Sequence, residues 1–429
     1  MPDPFRHYEG VPVLDLPADP PVPETPAPAG DGPAFLSQLL YYSAAISATK
    51  VVPSTGFKYA LRVNPSSGNL HPTEFHFITR GLKDWPDGLY HYRPSSHMAE
   101  QRAIGDFRLS ATSEAPIVFI LTSIAWREAW KYRARAYRYC LLDIGHAWQS
   151  VALAAQAMGR QTLATGDFAD DEIARDLRLS ADEWPMLVIQ IRGISTSKSD
   201  VHETVWYGGQ PNELSKETVA YSLIDAIHTA TKVGHKPALE PLPTGACNRT
   251  FVEVARTRRS ALDFVGGTRS MTLPQLTAVL EAAKPLLYFV QLYLYVHRVD
   301  DLEPGVYRFW SEHAELEKIK SGDQRVAAAG LSLAQDLAGN ACVAFSMIGD
   351  LDRATRAHGD RGYRYVHFEA GAIGHRLYLA AEALGLGATG IGAFYDEDVH
   401  RYLHLTPERG QVVYHFAIGY PVPDPRLQA

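Results

Sequence analysis

Apolar residues recur at three- and four-residue intervals in Phe35, Leu36, Leu39 and Leu40, and over a longer stretch in Leu141, Leu142, Ile144, Gly145, Trp148, Val151, Ala152 and Ala155. That spacing lines one face of a helix, and it predicts a helix from Ala34 and a long one starting near Tyr137. Runs rich in β-branched and aromatic residues predict strands at Phe75 to Thr79, Gly88 to Tyr92, Ala115 to Leu121 and Leu187 to Ile191. Residues 1–33 are dense in proline, with Pro20, Pro21, Pro23, Pro26 and Pro28 close together, so an extended arm without regular structure is expected there.

The same pattern occurs twice. Aligning Gly145 with Gly371, an offset of 226, brings Leu153-Ala154-Ala155 onto Leu379-Ala380-Ala381 without a gap. The same offset brings Tyr137-Arg138-Tyr139 onto Tyr363-Arg364-Tyr365 and Gly166-Asp167-Phe168 onto Gly392-Ala393-Phe394. Upstream, Gly88-Leu89-Tyr90 resembles Gly305-Val306-Tyr307, and Leu36-Ser37-Gln38-Leu39 resembles Leu273-Pro274-Gln275-Leu276. One α+β unit has been duplicated. The expected organisation is an arm over 1–33, a first domain over 34–210, a linker over 211–249 with a helix from Leu214 to Thr231, and a second domain over 250–429.

Composition narrows the class. With 46% hydrophobic and 21% charged residues among 429, the chain is an ordinary globular one, and a net charge of -7 gives no basis for binding nucleic acid or an anionic membrane. Cys140, Cys247 and Cys342 are distant and odd in number, which suggests neither a disulfide framework nor a cysteine metal site. No basic-then-apolar leader and no span of about 18 apolar residues is found, so a cytoplasmic protein is expected. His91, His97, His375 and His400 show no ligand spacing, and no metal is expected.

The two copies differ in complementary ways. Gln38 to Gly88 spans 50 residues where Gln275 to Gly305 spans 30, so the second copy lacks the loop Asn64-Pro65-Ser66-Ser67-Gly68-Asn69-Leu70-His71-Pro72. Two prolines fence small residues there, and the turning backbone N–H groups with Ser66, Ser67 and Asn69 make a cradle for an anionic or polar ligand edge. The second copy instead has the basic run Arg256-Thr257-Arg258-Arg259-Ser260, where the first has its acidic proline arm. Each half keeps what the other lacks, which points to one composite site at a pseudo-twofold interface.

These residues resemble the nitroreductase superfamily of FMN flavoproteins, and more closely its SagB-type dehydrogenase branch, which includes oxidases that make thiazoles and oxazoles in peptides. The resemblance implies two tandem nitroreductase-like α+β domains forming an intramolecular pseudo-dimer with one FMN. It implies flavin contacts from Pro65, Ser66, Ser67, Gly68 and Asn69 of the first half and from Arg258, Arg259 and Ser260 of the second. Arg426 is placed like a C-terminal basic residue that reaches the phosphate, and Ile391, Gly392 and Ala393 match the segment beside the flavin ring. Leu262 stands where the family pattern has a last basic residue. Thr165-Gly166-Asp167-Phe168 carries a charge at the equivalent place, so the second pseudo-site is expected to be empty. Guanidinium groups suit a phosphate because they bind its oxygens bidentately.

Azole-forming relatives carry a Lys-Tyr pair ahead of the long helix, which makes Lys131 and Tyr132 the acid/base pair. Lysine acts as a base when burial or nearby cations depress its pKa, and Arg133, Arg135 and Arg138 stand close in sequence. His71 is either a ligand to the flavin edge or a structural loop residue. Tyr395 and Asp396 either line the substrate pocket or cap a helix, and Trp126 and Trp130 either stack on a planar substrate or belong to the core. The substrate is a small molecule or peptide-derived, with NAD(P)H or oxygen as electron partner. The competing readings are an NAD(P)H-dependent nitro, quinone or enone reductase, a protein that sequesters FMN without turnover, and a flavin-free scaffold.

Overall fold

The computed structural model describes residues 1–17, 32–109, 115–194, 196, 203–232, 238–239, 251–267 and 269–428. The proline cluster of the arm, most of the stretch from Pro237 to Gly245, and Cys247 lie outside the described residues. The chain divides into two compact units, residues 1–47 with 60–242 and residues 48–59 with 243–429.

The strands of the first unit's main sheet are β1 (Val13–Asp15), β2 (Thr73–Thr79), β3 (Gly88–Arg93), β4 (Met98–Ile104), β5 (Ile117–Ser123), β6 (Gln161–Thr165), β7 (Trp184–Arg192), β8 (Val205–Trp206) and β9 (Ala238–Leu239). They lie in the order β8-β4-β3-β2-β5-β7-β6-β9, with β1 also on β4, and adjacent strands are antiparallel. The second unit has β10 (Val290–Val296), β11 (Gly305–Trp310), β12 (Glu315–Ser321), β13 (Val343–Gly349), β14 (Gly387–Ile391) and β15 (Gln411–Gly419), ordered β12-β11-β10-β13-β15-β14. Counting the shared strands from β2 and from β10, both sheets read third, second, first, fourth, sixth, fifth. The duplication seen in the sequence is a duplication of topology.

The helices keep the same register. α1 (Pro33–Ala44), α2 (Ala125–Tyr132), α3 (Ala136–Ala157), α4 (Asp170–Asp176) and α5 (Ser222–Ala230) belong to the first unit. The second has α6 (Phe251–Thr257), α7 (Leu273–Ala282), α8 (Leu351–His358), α9 (Gly362–Ala383) and α10 (Asp396–Leu403) among its helices. α2 and α3 map onto α8 and α9 at an offset of 226 (351 − 125 and 362 − 136). α3 and α9 are 22 residues each and buried nearly all round, which makes each the central helix of its unit, packed on the sheet and against α1 or α7.

Three expectations change. The helix of the expected linker is shorter, Ser222–Ala230, and it packs in the first unit through Ile224 and through His228, whose ring stacks on Trp184 at 3.8 Å. Residues 48–59 count with the second unit, where Lys50 and Thr49 pair with Leu427 and Gln428. The described part of the proline arm is not featureless: Tyr8–Glu9 pairs with Gln210–Pro211, and Val13–Asp15 joins the sheet at β4. Prolines at edges and strand starts permit this, since no ladder donor is lost there.

That arm covers a polar patch on the sheet. Glu74 and His76 share one face of β2, and the register sets His76 beside His91 and His91 beside Glu100. His91 bonds Glu100 at 2.9 Å and Glu74 at 3.1 Å, and His76 bonds Glu183 at 2.7 Å. Arg127 reaches Glu74, and the Tyr8 N–H donates to Glu100 at 3.0 Å. Burial alone would raise the Glu74 carboxyl, but Arg127, His91 and Arg62 outweigh it and hold it down at about 2.

Candidate functional site

In the first unit the Pro-Ser-Ser-Gly loop is a shaped turn. Ser66 is extended, Ser67–Asn69 makes a single 3-10 turn, and Gly68 is left-handed at φ 58°. Asn69 and His71 also have positive φ, of 59° and 49°. The loop closes on itself: the His71 N–H donates to Ser66 Oγ at 2.8 Å, the His71 ring meets Asn69 Oδ1 at 3.0 Å, and Asn69 Nδ2 donates to Ala60 O at 2.8 Å. His71 is buried and its carbonyl accepts from Arg127 at 2.7 Å, which supports its structural role in the loop.

A carboxylate on α3 anchors this turn. Asp143 accepts from the Ser67 N–H at 3.1 Å and from Ser67 Oγ at 3.0 Å. Burial pushes the Asp143 carboxyl up to about 7, against the hydrogen bonds from Ser66 and Ser67. The corresponding helix position in the second unit is Glu369 (143 + 226). It accepts from the backbone N–H groups of Leu286, Leu287, Tyr288 and Phe289, which lie ahead of β10 as the cradle lies ahead of β2, and from that of Val290, the first residue of β10. Both halves therefore fix the loop before their first common strand with a carboxylate from the central helix. In the second that carboxylate takes up every N–H of the turn.

Lys131 and Tyr132 end α2 beside the cradle. A Cβ built on Gly68 would stand 2.5 Å from the Tyr132 hydroxyl and 3.2 Å from Lys131 Nζ, so only glycine allows this approach. The Lys131 ammonium lies 5.0 Å from the Tyr132 ring centroid, and Tyr132 meets Tyr139 edge-on at 4.6 Å. Burial, with Glu128, Tyr139 and Asp143 nearby, raises the Tyr132 phenol above its ordinary range. The structure thus brings together the cradle and the Lys-Tyr pair. Lys131 is exposed, so the burial invoked to depress a catalytic lysine is absent.

In the second unit α6 ends at Thr257 and the next three residues run beside β14. Ser260 bridges Ala388 in parallel, and the Ala261 N–H donates to Ala388 O at 2.8 Å. Tyr378 of α9 ties the two segments, its hydroxyl meeting Ser260 Oγ at 2.9 Å and accepting from the Gly390 N–H at 2.7 Å. Arg258 is buried with its guanidinium 5.1 Å from the Tyr378 ring centroid, and burial lowers its pKa. Arg259 is half-buried and Ser260 exposed. Ile391 is buried, and Gly392 and Ala393 are half-buried at the start of the turn that follows β14. A Cβ on Gly390 would fall 1.9 Å from the Tyr414 hydroxyl, so this strand too is held close by a bare backbone.

Arg426 is engaged: it forks onto Asp424 at 2.8 and 2.7 Å, and Asp424 also binds Lys50 at 2.8 Å. The N-cap of α10 is Tyr395, so Asp396 is its first residue rather than its cap. Trp130 is exposed, while Trp126 is half-buried and donates to Ser215 Oγ at 3.0 Å, so neither tryptophan is core. In the first unit the strand leading to Gly166 is covered by β9, with Ala238 paired to Thr165. Among the described residues no group of three His, Cys, Asp or Glu side chains is placed to hold a metal, and no helix is long and apolar enough to cross a membrane.

Sequence reasoning missed Asp143, Glu369 and Glu128. The first two share one register position in the repeat, a signal that aligning the copies position by position would have exposed. Glu128 on α2 is fully buried, and neither carboxylate oxygen has a hydrogen-bond partner.

The sequence profile of the nitroreductase family matches residues 44–193 and 268–420, one match in each half. The putative nitroreductase MJ1384 of Methanocaldococcus jannaschii is 34% identical over 118 residues, 28% of this chain and 60% of that protein. The trifolitoxin-processing protein TfxB of Rhizobium leguminosarum bv. trifolii is 30% identical over 139 residues, 29% of this chain and 37% of its own length. The chain thus spans less than two thirds of the length of these relatives. A crystal structure of a putative nitroreductase from Anabaena variabilis matches with a TM-score of 0.81 and 25% identity, covering 98% of this chain and 94% of that one.

Proposed function

We propose that this chain, which belongs to the nitroreductase family over both of its halves, is an FMN-dependent oxidoreductase of the SagB-type dehydrogenase branch. Its substrate class is a heterocycle or an amino-acid- or peptide-derived molecule, and it binds one FMN per chain. The observation that carries the reading is the approach of Lys131 and Tyr132 to Gly68 of the cradle, because it sets an acid/base pair against a ligand loop. The likeness to a trifolitoxin-processing protein supports the same branch.

The residue types in each unit, taken by itself, suit a flavin nucleotide. Ser66, Ser67, Gly68 and Asn69 form a small-residue turn that Asp143 holds, in which Ser67 and Asn69 are already engaged within the unit. Pro65 fixes its entry. Arg258, Arg259 and Ser260 supply positive charge and a hydroxyl, and Ile391, Gly392 and Ala393 supply backbone without bulky side chains. Arg426 contributes to phosphate binding only by sharing its guanidinium with Asp424. FMN, when bound, supplies hydride chemistry. Of this chain's own groups, Tyr132 is held as a phenol and so is a proton donor, and the exposed Lys131 stands beside it at the end of α2.

The reductive reading, electron transfer from NAD(P)H to a nitro, quinone or enone acceptor, draws on the likeness to MJ1384. Anaerobic mixing separates the two. Bleaching of bound flavin by an azoline substrate but not by NAD(P)H is expected for the oxidative branch, and the reverse for the reductive one. A yellow protein that neither reagent bleaches is a sequestering protein, and a colourless protein without affinity for added FMN is a scaffold.

A further inference from the structure

The second copy of the fold is an internal control for the first. α2 and α8 are eight-residue helices at an offset of 226, each running through a one-turn 3-10 segment into the central helix of its unit. In the second copy the position of Glu128 is Ala354, buried at 0% exposure, and the positions of Lys131 and Tyr132 are Ala357 and His358. The fold therefore closes with a methyl group at this place. A carboxyl that is also at 0% exposure, with both oxygens unpartnered, is costly to keep there unless it holds a proton.

The groups around Glu128 come from its own helix and from α3. Lys131 and Tyr132 stand one turn further along α2, and Asp143, Tyr139 and Cys140 face it from α3. Asp143 is committed to Ser67, whose N–H and hydroxyl favour its ionised form. α2 packs on α3, and of two buried carboxyls that repel each other's charge the one without donors keeps the proton. Burial, reinforced by Asp143, pushes Glu128 well above the usual carboxylate range, with Lys131 partly opposing.

We propose that Glu128 is a positioning residue of the Lys131–Tyr132 pair, a buried carboxylic acid that stores the proton balancing the charge state of that pair. When the pair takes up a proton, the Glu128 carboxyl can release one, so that the net charge of the cluster does not change. This role rests on the Lys131–Tyr132 pair being the acid/base machinery, but its test does not require flavin.

Infrared spectra of the purified chain, recorded against pH for wild type, Glu128→Gln, Asp143→Asn and Lys131→Ala, read it directly. A protonated carboxyl band that persists at pH 9, where Asp143 with its pKa of about 7 is ionised, is expected in wild type and Asp143→Asn and not in Glu128→Gln. In Lys131→Ala its midpoint should rise, because the ammonium that favours the carboxylate is gone. In parallel, labelling of Lys131 by an amine-reactive reagent should change its pH midpoint by half a unit or more in Glu128→Gln. A wild-type spectrum at pH 9 identical to that of Glu128→Gln, or an unmoved Lys131 midpoint in a variant that melts like wild type, overturns the proposal. If Glu128→Gln does not fold, Glu128→Ala, which installs the residue of the second copy, replaces it and is judged by the same two readouts. A colourless protein with this band and this coupling would refute the flavin reading and leave the proton pair standing.

Discussion

At the residue scale the decisive groups are carboxyls in unusual surroundings. Asp143 has its pKa raised from 3.8 to about 7, so the folded protein binds that proton more tightly than the unfolded chain does. Its contribution is fully present below about pH 4, the unfolded value, and is lost as pH rises to about 7. Asp143→Asn keeps an acceptor for the Ser67 N–H but removes this titration. Its melting temperature should therefore fall less steeply than that of wild type between pH 5 and pH 7, as followed by circular dichroism. Asp143→Ala, which leaves the Ser67 donors without their acceptor, should cost about 1–3 kcal/mol and weaken FMN binding about tenfold in a fluorescence titration. Only the alignment of Asp143 with Glu369 marks the position in advance: by itself an Asp among Leu142, Ile144 and Gly145 reads as an ordinary helix residue until the fold shows Ser67 lying against it.

At the element scale, what the hydrophobic pattern showed best were the long helices and the buried strands, because a period of 3.6 or an unbroken β-branched run survives tertiary context. The proline arm was read less well. Tyr8, Arg6 and Val13 owe their order to partners far along the chain, among them Pro211, Asn212 and Glu100, and local pattern carries no trace of those. The cradle and the Lys-Tyr pair were both legible as motifs, but their contact was not, since Gly68 and Tyr132 are 64 positions apart (132 − 68). Gly68→Ala strains a left-handed position and drives a methyl group into the Tyr132 hydroxyl. It should cost about 1–2 kcal/mol by chemical denaturation and displace the Tyr132 ring, visible as a changed ring resonance. The turn over Leu286–Val290 offers a counterpart: Glu369→Gln removes the charge that five N–H groups converge on and should cost about 2–4 kcal/mol by the same assay.

At the scale of the whole molecule, two sheets share the order of six strands, yet their parts differ. The first has a serine-glycine turn held on Asp143 with Lys131 and Tyr132 beside it, while the second has a turn closed on Glu369 and the Arg258–Ser260 segment beside β14. Duplication with such divergence is why we propose one working flavin per chain rather than two. The most direct test is the flavin-to-chain ratio of the purified protein, determined with excess FMN removed, for wild type, Gly68→Val and Arg259→Ala. A ratio near one in wild type that collapses in each variant alone is the predicted result. A ratio near two, or retention of full flavin when either segment is altered, would contradict it.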